Sequence, residues 1–245
     1  MYAKVFRVLS SSLMKLSIEL YFIMHEFGTG VVIDAPQLRF LSIRDDLSES
    51  FIIKNMHSTV KLDISLAFGL GKYNEEDVLS KRSMIHDFLP GISVVKEMII
   101  SWDTFMVIYQ YAKFEPLPQF GYLSCMNVTL RVSVLNWLPT FLESCPHLKI
   151  INVALANDIK YSEEMNQIRF SSVPECLLSS LEFVEFSNTF SGDLAEMKLV
   201  KYFLENSAIL KKLTLRLCYG RRKDEIFKEL LRIPRRSSTC QIIIL

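Results

Sequence analysis

The amino-acid sequence predicts an α/β fold, a leucine-rich-repeat solenoid in which parallel strands alternate with helices in irregular repeats. Three observations carry this. A six-residue pattern, apolar-x-x-apolar-x-apolar, returns along the whole chain; its successive starts lie about 21 to 36 residues apart, around the leucine-rich period; and helical signals fill the intervals.

The pattern reads Leu13/Leu16/Ile18, Leu38/Leu41/Ile43, a degenerate Thr59/Leu62/Ile64, Val95/Met98/Ile100, Leu123/Met126/Val128, Leu148/Ile151/Val153, Leu181/Val184/Phe186 and Leu210/Leu213/Leu215. The last two apolar positions are two apart, so on a strand they point to the same buried face, and the first enters the core just before the strand. The x positions face outward. Gln241-Ile242-Ile243-Ile244-Leu245 supplies a last strand.

Between copies, Asp193 with Glu196 three residues later forms a capping box, opening a helix striped by Leu194, Met197, Val200, Phe203 and Leu204 that stops near Asn206. A second helix starts at Pro139, runs through Phe141 and Leu142, and stops at Cys145-Pro146. A third spans Asp224 to Arg232, with Ile226, Phe227, Leu230 and Leu231 inward and Pro234 ending it. The ninth repeat position, usually Asn or Cys, is met only by Cys218; Tyr21, Asp46, Asp103, Arg131, Ala156 and Thr189 stand elsewhere, which points to long repeats with variable turns.

Half of the 245 residues are hydrophobic, enough for a sizeable core, and 28 Lys plus Arg balance 27 Asp plus Glu. No overall field draws in nucleic acid or an anionic membrane, so neither is expected as a partner. Lys4, Arg7, Lys15 and Glu19 interrupt the apolar start before a membrane span or a signal peptide can form, and the expected location is intracellular, cytoplasm or nucleus. Cys125, Cys145, Cys176, Cys218 and Cys240 are an odd, scattered set that reads as buried thiols of a reducing compartment.

Several stretches carry a family resemblance. Val-Pro-Glu-Cys-Leu-Leu-Ser-Ser-Leu at 173 to 181, Glu-Met-Lys-Leu-Val-Lys-Tyr-Phe-Leu-Glu-Asn at 196 to 206, Leu-Lys-Lys-Leu at 210 to 213 and Pro-Arg-Arg-Ser-Ser-Thr-Cys-Gln at 234 to 241 closely resemble the FBD domain of plant F-box/FBD/leucine-rich-repeat proteins. Asp-Ala-Pro-Gln-Leu-Arg-Phe-Leu at 34 to 41, Phe-Leu-Pro-Gly-Ile-Ser at 88 to 93 and Phe-Leu-Glu-Ser-Cys-Pro-His-Leu-Lys at 141 to 149 look like the repeat region of the same family. The resemblance implies a leucine-rich-repeat region over 1–170 and an FBD domain over 171–245 that continues the stack. It also implies a noncatalytic protein-binding module, resembling the part of a cullin-based ubiquitin ligase receptor that holds the protein substrate. The chain reaches its first hexad by Leu13 and shows no F-box, so a Skp-type adaptor is not expected to dock here, and the first strand is expected to be an uncapped edge. The alternative is a structural or decoy repeat protein that binds a target without recruiting a ligase.

Other chemistries find little footing in the sequence. His25, His57, His86 and His147 fall in four different repeats without a recurring partner spacing, and neither His-x-x-x-His nor paired cysteines occur, so no catalytic, metal or cofactor site is expected. Gly69-Leu70-Gly71 lacks the third glycine and the lysine of a phosphate cradle and reads as a loop. Arg221, Arg222, Lys223, Arg232, Arg235 and Arg236 alternate with Asp224, Glu225 and Glu229 and read as a solvated helix face. Trp102, Phe105 and Tyr109 have helical spacing and, with Tyr111, read as core.

The strand face remains as the candidate site. Its outward positions are Lys15, Ser17, Arg39, Ser42, Lys96, Glu97, Asn127, Lys149, Asn152, Glu182, Glu185, Lys211 and Thr214, with Phe40 and Phe183 as exposed aromatic anchors. Of these, Arg39, Phe40, Lys96, Glu97, Asn127, Lys149, Asn152, Glu182, Phe183, Glu185 and Lys211 are the expected partner-binding residues.

Overall fold

A computed structural model describes residues 5–20, 30–70, 73–156, 167–217 and 223–245. The chain divides into two compact units, Met1–Leu123 and Ser124–Leu245.

In the first unit β2 (Lys15–Leu20), β4 (Phe40–Asp45), β6 (Lys61–Leu66) and β7 (Glu97–Ile100) lie side by side in the order β7-β6-β4-β2, each pair parallel. These are the first four hexads. The inward pair of β4, Leu41 and Ile43, is fully buried, as are Leu62 and Ile64 of β6. In the degenerate copy Thr59 is exposed and Val60, one residue later, takes its place in the core at 1% exposure.

The intervals before β6 depart from the expectation of helices. β1 (Val5–Leu9), β3 (Gly30–Asp34) and β5 (Ser50–Lys54) form a second parallel sheet in the order β1-β3-β5. Segment length is the physical reason: the few residues left between β4 and β6 have room for a turn, a strand and a turn. Their Val, Ile and Phe content, with Val31 and Ile33 and then Phe51 and Ile53 alternating inward, favours a pleated strand.

The longer interval before β7 accommodates α1 (Glu75–Ser80) and α2 (Arg82–Ile92), and α3 (Trp102–Tyr111) follows β7. The helix read from Trp102, Phe105 and Tyr109 is thus α3, with Phe105 and Tyr111 buried and Trp102 half-buried. Asn74 caps α1 by accepting from the Asp77 amide, and Ser101 caps α3 by accepting from the Thr104 amide.

Packing in this unit centres on Phe51 of β5, Phe68 of the turn after β6 and Phe88 of α2. Their ring centroids are 5.3 to 6.0 Å apart in edge-to-face arrangement, the preferred geometry for buried rings. Phe68 (φ 54°) and Gly69 (φ 64°) take left-handed backbone to make that turn, where Gly69-Leu70 reads as the expected loop; Gly71 lies outside the described residues. At Gly91 of α2 an added Cβ would sit 2.8 Å from the Ile53 carbonyl oxygen, so glycine is what lets α2 lie against β5. Thr104 is fully buried and bridges both backbone groups of Leu66, accepting from its amide at 2.7 Å and donating to its carbonyl at 3.3 Å.

The second unit holds a parallel sheet in the order β12-β11-β10-β9-β8, made of β8 (Cys125–Leu130), β9 (Ile150–Leu155), β10 (Phe183–Phe190), β11 (Lys212–Leu217) and β12 (Gln241–Ile244). β8 to β11 are the last four hexads, and β12 is the expected terminal strand. Met126, Leu148, Ile151, Leu181, Leu213 and Leu215 are all fully buried. A register shift in β10 between Phe186 and Phe190 brings Phe190 inward, where its ring lies 5.5 Å from that of Phe186.

Helices cover these strands as expected, although Leu194, Phe227 and Leu231, read as inward, are exposed. A 3-10 turn (Val132–Trp137) leads into α4 (Leu138–Glu143), whose Pro139 sits in the first turn. α5 (Glu175–Ser179), α6 (Leu194–Asn206) and α7 (Lys223–Arg232) follow. α6 has the full capping box: Asp193 accepts from the Glu196 amide at 2.9 Å, and the Glu196 carboxylate accepts from the amides of Ser191, Gly192 and Asp193 and from the Ser191 hydroxyl. Burial, and then the neighbouring Asp193 charge, push the Glu196 carboxyl above its ordinary range against those hydrogen bonds. Asp193→Ala is expected to lower unfolding stability by about 1 kcal/mol, because the cap's hydrogen bond to the first turn is lost. A urea titration checks it.

Cys145, Cys176 and Cys240 are buried as expected, and burial pushes the Cys176 thiol up to about 12. Cys125 is half-buried on the outer strand face, which corrects the reading of a wholly buried set. Cys218 lies outside the described residues. No helix among the described residues is long and apolar enough to cross a membrane.

Among the described residues β2 pairs only with β4, and β1 only with β3. Phe6 (52%), Leu9 (65%) and Met14 (60%) are more than half exposed along this edge. Amide hydrogens of β2 are therefore expected to exchange much faster than those of β4, whose strand is paired on both sides. Equal protection in a monomer, measured by hydrogen exchange, would contradict an open edge.

Candidate protein-binding face

The outward positions of the two sheets form in-register rows. Within the first unit Lys15, Phe40, Lys61 and Glu97 occupy one row, and Ser17, Ser42, Asp63 and Ile99 the next. Neighbouring parallel strands lie about 4.8 Å apart, so side chains in a row touch. The Lys15 ammonium sits 5.2 Å from the Phe40 ring centroid, and Lys61 reaches Glu97 at 3.7 Å. Arg44 pairs with Asp63 at 3.3 Å. Arg39 and Lys96 precede their strands and are exposed, and Arg39 donates to the Thr59 hydroxyl at 3.4 Å.

In the second unit Cys125, Ile150, Phe183, Lys212 and Gln241 share one row, and Asn127, Asn152, Glu185, Thr214 and Ile243 the next. The Asn152 amide donates to the Asn127 side-chain oxygen, the kind of ladder that aligned strands permit. Arg216 donates to Glu185 at 2.6 Å, and the Lys212 ammonium lies 5.9 Å from the Phe183 ring. Ahead of the strands Lys211 donates to Glu182 at 2.8 Å. That hydrogen bond, aided by the charges of Lys211 and Lys149, holds the half-buried Glu182 carboxyl below its usual range although desolvation opposes it.

Each expected site residue thus lies on the outer strand face or on its leading rim, within its own unit. Three details differ from the sequence reading. Phe40 and Phe183 are half-buried because lysine stems lie over their rings. Ser42 (5% exposed) and Thr214 (6%) are covered by longer neighbours. Lys61, Asp63, Arg44, Ile150, Lys212 and Arg216 belong to the same face and were missed. Lys61 and Asp63 sit in the degenerate hexad, Ile150 and Lys212 occupy x positions, and Arg44 and Arg216 follow the last apolar residue of their hexads, where the pattern carries no signal.

The remaining candidates do not converge. His57 contacts Thr59, His86 contacts Tyr111 at 3.0 Å, His147 is exposed, and His25 lies outside the described residues. Among the described residues no cluster of His, Cys, Asp or Glu could hold a metal ion. Arg235 is tied to the Cys240 carbonyl at 3.0 Å, Arg232 and Arg236 are exposed, and Arg221 and Arg222 lie outside the described residues.

Residues 167–215 match the FBD family. An FBD-associated F-box protein of Arabidopsis thaliana is 53% identical over 241 residues, which cover 98% of this chain and 55% of that protein. The chain belongs to the plant F-box/FBD/LRR-repeat family. Two F-box/FBD/LRR-repeat proteins of the same plant are 49% and 47% identical over 218 and 220 residues; each alignment covers 88% of this chain, and 49% and 47% of those relatives. The chain therefore spans about half the length of the curated relatives it matches. The names of these relatives state domain content: F-box, FBD and, for two of them, LRR repeats. No solved structure matches the chain.

Proposed function

We propose that this F-box/FBD/LRR-repeat chain is a noncatalytic recognition module that holds a protein substrate on the outer face of a solenoid of parallel strands, for a cullin-based ubiquitin ligase. The observation that carries the reading is the face itself. Arg39, Phe40, Lys96 and Glu97 in the first unit, and Asn127, Lys149, Asn152, Glu182, Phe183, Glu185 and Lys211 in the second, stand on, or immediately before, strands whose opposite faces are filled with core. Among the described residues no helix covers these rows, and in-register strands present side chains at fixed spacing, which suits extended recognition surfaces. The repeat region is assigned to 1–170 and the FBD domain to 171–245, continuing the stack. The site of action is the cytoplasm or nucleus.

Affinity capture with the full chain tests the reading. A substrate-class partner is expected to be retained by wild type and by Lys201→Ala on α6, and to be lost from the double variant Phe40→Ala/Phe183→Ala. An unchanged set of captured proteins would overturn it. Co-precipitation with a Skp adaptor separates the ligase role from a decoy that binds its target alone: association supports the former, and a captured substrate without any adaptor supports the latter.

A further inference from the structure

Within the first unit, the leading rim of the strand face is a cationic band. Lys15, Arg39, Lys61 and Lys96 lie on, or just before, four adjacent strands, all are exposed, and among the described residues the one carboxylate in this band is Glu97. The backbone holds the band in place: the Arg39 amide donates to the Met14 carbonyl at 2.8 Å, and the Lys61 amide to the Arg39 carbonyl at 2.9 Å. Four strands place these cations within about 15 Å of one another. Two of the contacts they make are with neutral groups, the Phe40 ring for Lys15 and the Thr59 hydroxyl for Arg39. The Asp63 carboxylate one row further along is engaged by Arg44 and by the Ser42 hydroxyl.

The whole chain is nearly neutral at +1, yet among the described residues this band sets four cations beside one carboxylate. Like charges on neighbouring strands repel, and an anionic segment facing the band relieves that repulsion. Charge complementarity selects the occupant. We infer that the rim formed by Lys15, Arg39, Lys61 and Lys96 binds an acidic, extended segment of a partner protein, with an apolar residue of that segment seated on Phe40. Alternate side chains of an extended segment recur about every 6.8 Å, within reach of flexible Lys and Arg heads on strands of this spacing. Phe40 stands in the same row between Lys15 and Lys61, which fixes where the apolar residue goes.

This rests on the strand-face reading above and narrows it to a partner chemistry. The test is fluorescence anisotropy of the full chain with a labelled twelve-residue peptide of alternating Glu and Ser around a central Leu, and with matched peptides carrying Gln or Lys for Glu. The Glu peptide is expected to bind at least about tenfold more tightly than the Gln peptide, and to weaken as salt rises. Arg39→Glu and Lys61→Glu are each expected to lose about tenfold, whereas Lys201→Glu on α6 leaves binding unchanged. Equal or tighter binding of the Gln or Lys peptide overturns the inference. If Phe40→Ala also abolishes that binding, the strand-face reading stands while the acidic partner falls. Failure of the Glu peptide to bind, or equally tight binding of twelve-residue single-stranded thymidine DNA with the same sensitivity to Lys61→Glu, also overturns it.

Discussion

Phe88→Ala is expected to destabilise the first unit by about 3 to 5 kcal/mol, the usual cost of emptying a buried aromatic site. Phe88 is 1% exposed, and its ring meets both Phe51 and Phe68, so the loss removes two edge-to-face contacts and opens a cavity where three elements join. The surroundings are poorly placed to collapse into it: α2 is already held against β5 at Gly91, and Phe68 sits in a left-handed turn. Urea unfolding followed by tryptophan fluorescence of Trp102, in the same unit, reads the loss directly. Phe88→Leu, which keeps most of the volume, is expected to recover more than half of it.

Ile151→Asp carries a still larger expected effect and a built-in control. Ile151 is fully buried in β9, and it is register-paired with Met126 of β8 and Val184 of β10, both in the core. A carboxylate there has no partner and no water, so the second unit is expected to lose its cooperative transition. Asn152→Asp, one residue along the same strand, faces outward; it loses the hydrogen bond to Asn127 and stands opposite Glu185, and is expected to cost about 1 to 2 kcal/mol while keeping a cooperative transition. Circular dichroism melts of the two variants would separate them. Similar behaviour of both would contradict the inward and outward assignment on which the binding face depends.

Much of the fold was legible because the hexad encodes burial directly. Leu38, Val95, Leu123, Leu148, Leu181 and Leu210 all enter the core before their strands, and the capping box at Asp193 and Glu196 announced α6. β1, β3 and β5 were missed for a physical reason: Val31 with Ile33 and Phe51 with Ile53 alternate over stretches too short to stand out beside the six-residue repeat. The short interval between β4 and β6 was the available signal. Nothing in the repeat pattern marks Thr104, and only the fold shows it buried beneath the end of β6, bonded to Leu66.

The candidate face was half legible in the same sense. Alternation identified which residues point outward, Asn127, Asn152 and Glu185 among them. Which of them meet depends on register between strands some 20 to 36 positions apart in sequence, and so the Asn127 to Asn152 ladder, the Arg44 to Asp63 pair and the cover over Phe40 could not be read from spacing. Shielding by long neighbours is also a register effect, which is why Ser42 and Thr214 are buried on a face whose pattern marks them as exposed.

The central claim is that the outer strand face, and not the helical face, engages the partner. Site-specific photocrosslinking in plant extract tests it most directly, with the photoactivatable group placed at Asn152 on β9 in one protein and at Lys201 on α6 in another. The expected result is a discrete covalent adduct from position 152, suppressed by Phe183→Ala, and none from position 201. An adduct from position 201 alone would contradict the account.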